Sequence, residues 1–144
     1  MSKISQISIF LNNVPGSISK MADILRKCNI NVIAFNLAEN PEFGVFRIIV
    51  KDPQAAFAAL SEENVVARMT DVIGVRMKDV PGAINPAAAI LGEAGINIRY
   101  AYAFTLAGGE AVLFIRVDEP DRAVAVLQQA GVPLAKESDL RWRT

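Results

Sequence analysis

The sequence repeats itself once, and that repetition constrains the fold more than any other feature. Shifted by 66 residues, Ile7–Val32 falls on Ile73–Ile98 with ten identities, among them Val14-Pro15-Gly16 on Val80-Pro81-Gly82 and Ile30-Asn31 on Ile96-Asn97. Shifted by 67, Val45–Leu60 falls on Val112–Leu127 with seven more, running from Val45/Val112 to Leu60/Leu127. The one-residue slip lies between Asn40-Pro41-Glu42-Phe43 and Leu106-Ala107-Gly108-Gly109. A turn absorbs an insertion at least cost, so the place of the slip supports the alignment. Shared Ala/Val/Ile composition does not place Val-Pro-Gly and Ile-Asn in register twice. The repeat divides the 144 residues into two very small domains, 1–70 and 71–144.

One copy reads as β-α-β-β-α-β. Ile4–Leu11 alternates as a strand, and Val14-Pro15-Gly16 turns the chain, Pro presetting φ and Gly freeing it. Ile18, Met21, Ala22, Leu25 and Cys28 then recur at helical spacing, which predicts one apolar stripe with Cys28 as an inert core thiol. Asn29 in the first copy and Gly95 in the second are residues that tolerate the left-handed conformation closing a helix. Asn31–Ala38 and Phe43–Val50 read as strands around a polar turn. Asp52-Pro53 opens a second helix as N-cap and first residue, burying Ala56, Phe57 and Leu60. Val65–Met69 closes the copy with a strand, and Val72 begins the next. The expected class is therefore α+β, two ferredoxin-like βαββαβ units whose antiparallel sheets pair side by side and leave fewer open edges. Tyr100 and Tyr102 alternate with Ile98 and Phe104, which reads as a packed face before a stacking platform. Arg141-Trp142-Arg143 follows the repeat as a docked tail or a frayed end.

The first βα turn is Asn12-Asn13-Val14-Pro15-Gly16-Ser17 in one copy and Lys78-Asp79-Val80-Pro81-Gly82-Ala83 in the other, leading into Ile18 and Ile84. Fifteen residues past each Gly stands Asn31 or Asn97, opening the next strand. This succession, in both copies and over nearly the whole chain, resembles the ACT domain family. The resemblance implies a free amino acid held between paired units, the N/D-x-P-G turn of one facing the second strand of the other. Asn12 to Ile18 with Asn31, and Asp79 to Ile84 with Asn97, are then the candidate ligand residues. The physical case stands beside the resemblance. A helix N-terminus presents unpaired N–H groups and partial positive charge to a carboxylate, and an Asn or Asp oxygen accepts from an ammonium. The copies differ: Asp79 is charged where Asn13 is not, and Ala83 lacks the hydroxyl of Ser17. Asn85-Pro86 reads as a later helix start, with Asn85 as cap and Pro86 giving no N–H.

Composition excludes other functions. Fifteen Lys and Arg balance fifteen Asp and Glu, seven against six in residues 1–70 and eight against nine in residues 71–144. No basic field is left for nucleic acid or an anionic membrane. No histidine occurs, which removes His acid–base chemistry, His-activated nucleophiles and the commonest zinc ligand. No catalytic residue, metal site or cofactor is expected, and no phosphate-cradling glycine motif is present. Cys28 is the only cysteine, so no intrachain disulfide forms. Met1–Gln6 lacks the pattern of a signal peptide and no apolar run is long enough to span a membrane, which predicts a cytoplasmic protein.

The expected function is a non-enzymatic amino-acid-binding regulator. Its partners are a free amino acid, a second copy in a homodimer, which the 52% apolar composition favours, and an enzyme of amino-acid metabolism in trans. The alternative is a structural or oligomerisation module with no ligand. A small enzyme and an RNA-binding sheet fit the composition less well.

Overall fold

In the computed structural model, residues 3–39 and 42–143 are described, apart from the side chains of residues 107 and 141–143. The tail Arg141-Trp142-Arg143 therefore lies outside the described side chains, and its backbone closes a 3-10 segment, Glu137–Arg143. The chain divides into two compact units, Ser5–Thr70 and Asp71–Trp142, with Lys3 and Ile4 belonging to the second.

The first unit opens on β1 (Lys3–Asn12), whose Ile7 and Ile9 point to one face. Helix α1 (Ser17–Lys27) follows, then strands β2 (Val32–Glu39) and β3 (Phe43–Val50), helix α2 (Pro53–Glu62) and the start of β4 (Ala67–Lys78). Strand β3 pairs antiparallel with β1 on one side and β2 on the other, leaving β2 outermost within this unit. The Val66 carbonyl, just before β4, accepts the Phe10 N–H at 3.0 Å. Asp52 caps α2 by accepting from the Ala55 N–H at 3.3 Å, with Pro53 in the first turn. Both helices cover one sheet face, burying Ile7, Ile9, Met21, Leu25, Phe46, Ile48, Val50, Ala56 and Leu60.

The second unit repeats the scheme with the remainder of β4, helix α3 (Asn85–Glu93), β5 (Ile98–Thr105), a 3-10 turn at Ala107–Gly109, β6 (Glu110–Val117), α4 (Pro120–Gln129) and the short β7 (Leu134–Ala135). Here β6 pairs with β4 and β5, and β7 with β4. The Pro133 carbonyl accepts the Arg76 N–H at 2.9 Å, the counterpart of the Val66–Phe10 bond. The core of Ile73, Val75, Ala87, Leu91, Leu113, Ile115, Val117, Ala123 and Leu127 matches the first position by position. Tyr102 is buried, its ring 5.4 Å from that of Phe114, which makes its strand a packed face.

Five local expectations are corrected. The closing strand of the first copy does not end before the second begins. Ala67–Lys78 is a single strand, so β4 runs unbroken through both. The α1 stripe is narrower than its spacing suggests: Met21 and Leu25 are buried, Ile24 packs partly against the core, and Ile18 and Ala22 are exposed. Cys28 is half-buried because it is the C-cap of α1, past the last turn over the sheet, and Asn29 after it takes the left-handed φ of 56°. Finally, Asn85 is not the cap of α3. Ile84 is, without a side-chain bond, and the helix starts two residues later than α1 because Pro86 has no N–H to extend it backwards. Phe57, expected in the core, is half-buried. Among the described residues no helix is long and apolar enough to cross a membrane.

Candidate functional site

The two βα turns are built alike. In the first, the Val14 N–H donates to the Asn12 carbonyl at 2.9 Å and the Ser17 N–H to the Val14 carbonyl at 3.3 Å. Gly16 follows Pro15 at φ 89°, a left-handed conformation that charges an L side chain about 1–2 kcal/mol. The second turn repeats these bonds, Val80 N–H to Lys78 and Ala83 N–H to Val80, with Gly82 at φ 80° after Pro81. Glycine as N-cap supplies no side-chain acceptor, so α1 begins without a side-chain cap, and the Ile18 and Ser19 N–H groups have no intrahelical acceptor.

Around the first turn lies a cavity of about 440 Å³. Asn12, Asn13, Val14, Gly16, Ser17 and Ile18, all expected from sequence, line it, whereas Pro15 shapes the turn without lining it. Leu11, Ser19, Leu37, Ala38, Glu39 and Gly44 complete the wall and were not expected. Glu39 and Leu11 both stand opposite Gly44, one on β2 and one on β1, so the three form a row across the sheet. Gly44 puts no side chain between the other two. The Asn13 Nδ2 donates to Glu39 Oε2 at 3.3 Å, joining turn to strand end.

Asn31 is not brought to this cavity. It stands at the opposite end of β2 from Glu39, exposed, and lines two other grooves, one with Cys28 and Asp52 and one with Arg26 and Phe35. In the second unit Asp79, Val80, Pro81, Gly82 and Ile84 are exposed and Ala83 half-buried, while Asn97 precedes β5, exposed. There the Asp79 N–H donates to the Gly109 carbonyl at 2.7 Å, and the Asn85 N–H to the Gly82 carbonyl at 3.1 Å. The extra residue of the β5–β6 turn thus lies where that turn meets Asp79.

Chemically the first cavity offers one carboxylate, two Asn side chains, two hydroxyls, open amides and apolar walls from Leu11, Val14, Ile18 and Leu37. These can hold a small polar molecule at both of its ends. Among the described residues no three His, Cys, Asp or Glu gather as a metal site. The resolved pKa shifts lie on lysines outside the cavity. Asp121, 2.7 Å from Lys3, and Glu63, 2.9 Å from Lys27, hold these ammonium groups above the usual lysine value, chiefly through hydrogen bonds.

The family model of the ACT domain pair matches residues 2–142. The chain belongs to the ACT domain pair family. Among solved structures, this ACT domain pair is similar to protein BT0572 from Bacteroides thetaiotaomicron, with 36% identity, 98% of this chain and 97% of that one covered, and a TM-score of 0.89. It shares its fold with the ligand-free regulatory subunit of aspartate kinase from Thermus thermophilus, at 19% identity over 88% of this chain and 91% of that one, TM-score 0.59. The same holds for the regulatory subunit from Thermus flavus, at 18% identity over 91% and 94%, TM-score 0.59. No curated protein gives a significant match.

Proposed function

We propose that this ACT domain pair is a regulator without catalytic activity of its own, acting in the cytoplasm. Its two domains, 1–70 and 71–144, respond to a free amino acid, and its target is an enzyme of amino-acid metabolism on a separate chain. The observation that carries the reading is the cavity at the Asn13 turn. A carboxylate fits the open amides at the start of α1, and an ammonium fits the oxygens of Asn13 and Glu39. Each charge-assisted bond contributes about 1.5–3 kcal/mol net, which supports micromolar to millimolar affinity. The shared fold of the regulatory subunit of aspartate kinase from Thermus thermophilus supports this reading.

A homodimer is part of the same reading. Phe35 and Leu37 on the outermost strand of the first unit are 64% and 51% exposed, and Val14 and Ile18 add to the exposed apolar surface. This apolar ledge also favours a second reading, an oligomerisation module with no ligand. A thermal-shift screen of the free amino acids separates the two. A ligand at ~100 times its Kd adds about 2.7 kcal/mol of stability, roughly 5–10 °C in Tm for a protein of this size. A chain that sediments as a dimer and shifts with no amino acid is an oligomerisation module.

A further inference from the structure

We propose that Glu39 receives the ligand's ammonium, that the first repeat's cavity takes an α-amino acid with an apolar side chain, and that the second repeat does not share the site. The inference rests on the amino-acid-binding reading and goes beyond it by naming the ligand class, the residue that selects it and the number of sites per chain.

Among the described residues Glu39 is the single charged side chain on the cavity wall. Its Oε2 is held at 3.3 Å by Asn13, and among the described residues its Oε1 has no hydrogen-bond partner. A negative charge fixed in place with one open oxygen suits a cation. The same charge, with no basic side chain on the wall to offset it, repels an amino acid whose side chain is acidic. Leu11, Val14, Ile18 and Leu37 are left for the side chain, and their apolar surface gives a cationic or amide group nothing to bond.

The second repeat keeps Val80 and Ile84 where the first has Val14 and Ile18 but alters the polar groups at both ends of the site. Thr105 stands where Glu39 does, paired across the sheet with Ala111 as Glu39 is with Gly44. The carboxylate is instead at Asp79, the counterpart of Asn13 on the turn itself, and none stands at the strand end. The amide equivalent to that of Ser19, Asn85 N–H, is already bonded to Gly82, and Pro86 has none. Ala103 replaces Leu37 and Met77 replaces Leu11. The second repeat therefore lacks both the strand-end carboxylate that would take an ammonium and the open amide that Ser19 offers a carboxylate.

Isothermal titration of the full chain tests the proposal, using L-valine, L-leucine, L-isoleucine, L-methionine, L-phenylalanine and L-aspartate, with the N-acetyl derivative of the tightest binder. The expected result is one site per chain, an apolar amino acid bound at least about tenfold more tightly than aspartate, and Glu39→Gln weakening it about tenfold or more. Gln can keep the Asn13 contact, so the loss reads charge. The N-acetyl derivative has no ammonium, and its weaker binding should be unchanged by Glu39→Gln, a difference that a purely structural role for Glu39 would not produce. Asp79→Asn should leave the isotherm unaltered. If the wild-type protein binds no amino acid, this inference falls together with the regulatory reading. If it binds one but Glu39→Gln is silent, aspartate is preferred, or two equal sites appear, this inference alone is overturned.

Discussion

The two repeats share their cores and differ on their surfaces. Leu25, Ile48, Ala56 and Leu60 in the first correspond to Leu91, Ile115, Ala123 and Leu127 in the second, and all of these are buried. The outer strands diverge. Phe35 and Leu37 of β2 are replaced by the exposed Ala101 and Ala103 of β5. At the turns, Asn13 with Glu39 becomes Asp79 with Thr105. The sheet face away from the helices differs as well: Gln6 and Ser8, buried and joined by a 3.4 Å hydrogen bond, stand where the second repeat has Val72 and Gly74. Positions that every βαββαβ unit must bury are held in common. The exposed turn and outer-strand positions are not, so one scaffold carries two different surfaces.

The largest effects should come from the shared core. Leu60→Ala and Leu127→Ala each remove a fully buried side chain under the second helix of a unit. Each should cost about 2–5 kcal/mol in urea denaturation. Equal losses would sharpen the view that the cores are equivalent, and a loss in one unit alone would break it.

An intermediate effect should expose the difference on the far face. A Cβ on Gly74 would sit 2.8 Å from Ile4 Cδ1, 3.2 Å from Ala135 Cβ and 3.3 Å from Val112 Cγ1. Gly74→Val should therefore destabilise by about 1–3 kcal/mol through overpacking. The matching position in the first repeat already carries the Ser8 side chain, so Ser8→Ala should cost less, about 1 kcal/mol for its hydrogen bond with Gln6. Urea midpoints in the reverse order would show that the two faces are packed alike.

The smallest effect should be electrostatic. Lys27 bonds Glu63 in the first unit and Lys3 bonds Asp121 in the second, and both lysines titrate above their ordinary 10.5. A raised folded-state value means that any stability these pairs contribute is fully present below pH 10.5 and is lost as pH climbs through the raised value. Lys27 is exposed, and the half-buried Lys3 pairs with a well-exposed Asp121, so Lys27→Met and Lys3→Met should leave the Tm at pH 7 nearly unchanged. A clear drop at neutral pH in either variant would show that its pair matters more than surface pairs do.

The repeat, its element order and most of its core are legible along the chain. The fold needs local signals that survive in the chain: Pro-Gly to turn, Asp52-Pro53 to start a helix, Asn29 or Gly95 to end one, and period-2 alternation to mark Ile7 and Ile9 as one face. The Asn13 turn was legible for the same reason, because turn chemistry is written in consecutive residues. What faces that turn is set by strand pairing, which no local signal records. Glu39 lies 26 positions from Asn13 and carries no local mark. It joins the site because β2 and β1 flank β3 in a register that puts Glu39 and Leu11 opposite Gly44. Asn31 failed to join it for the complementary reason. A strand rises about 3.3 Å per residue, so the far end of the eight-residue β2 lies more than 20 Å from Glu39. Sequence spacing fixes neighbours along an element, whereas pairing across a sheet fixes which distant residues share a cavity.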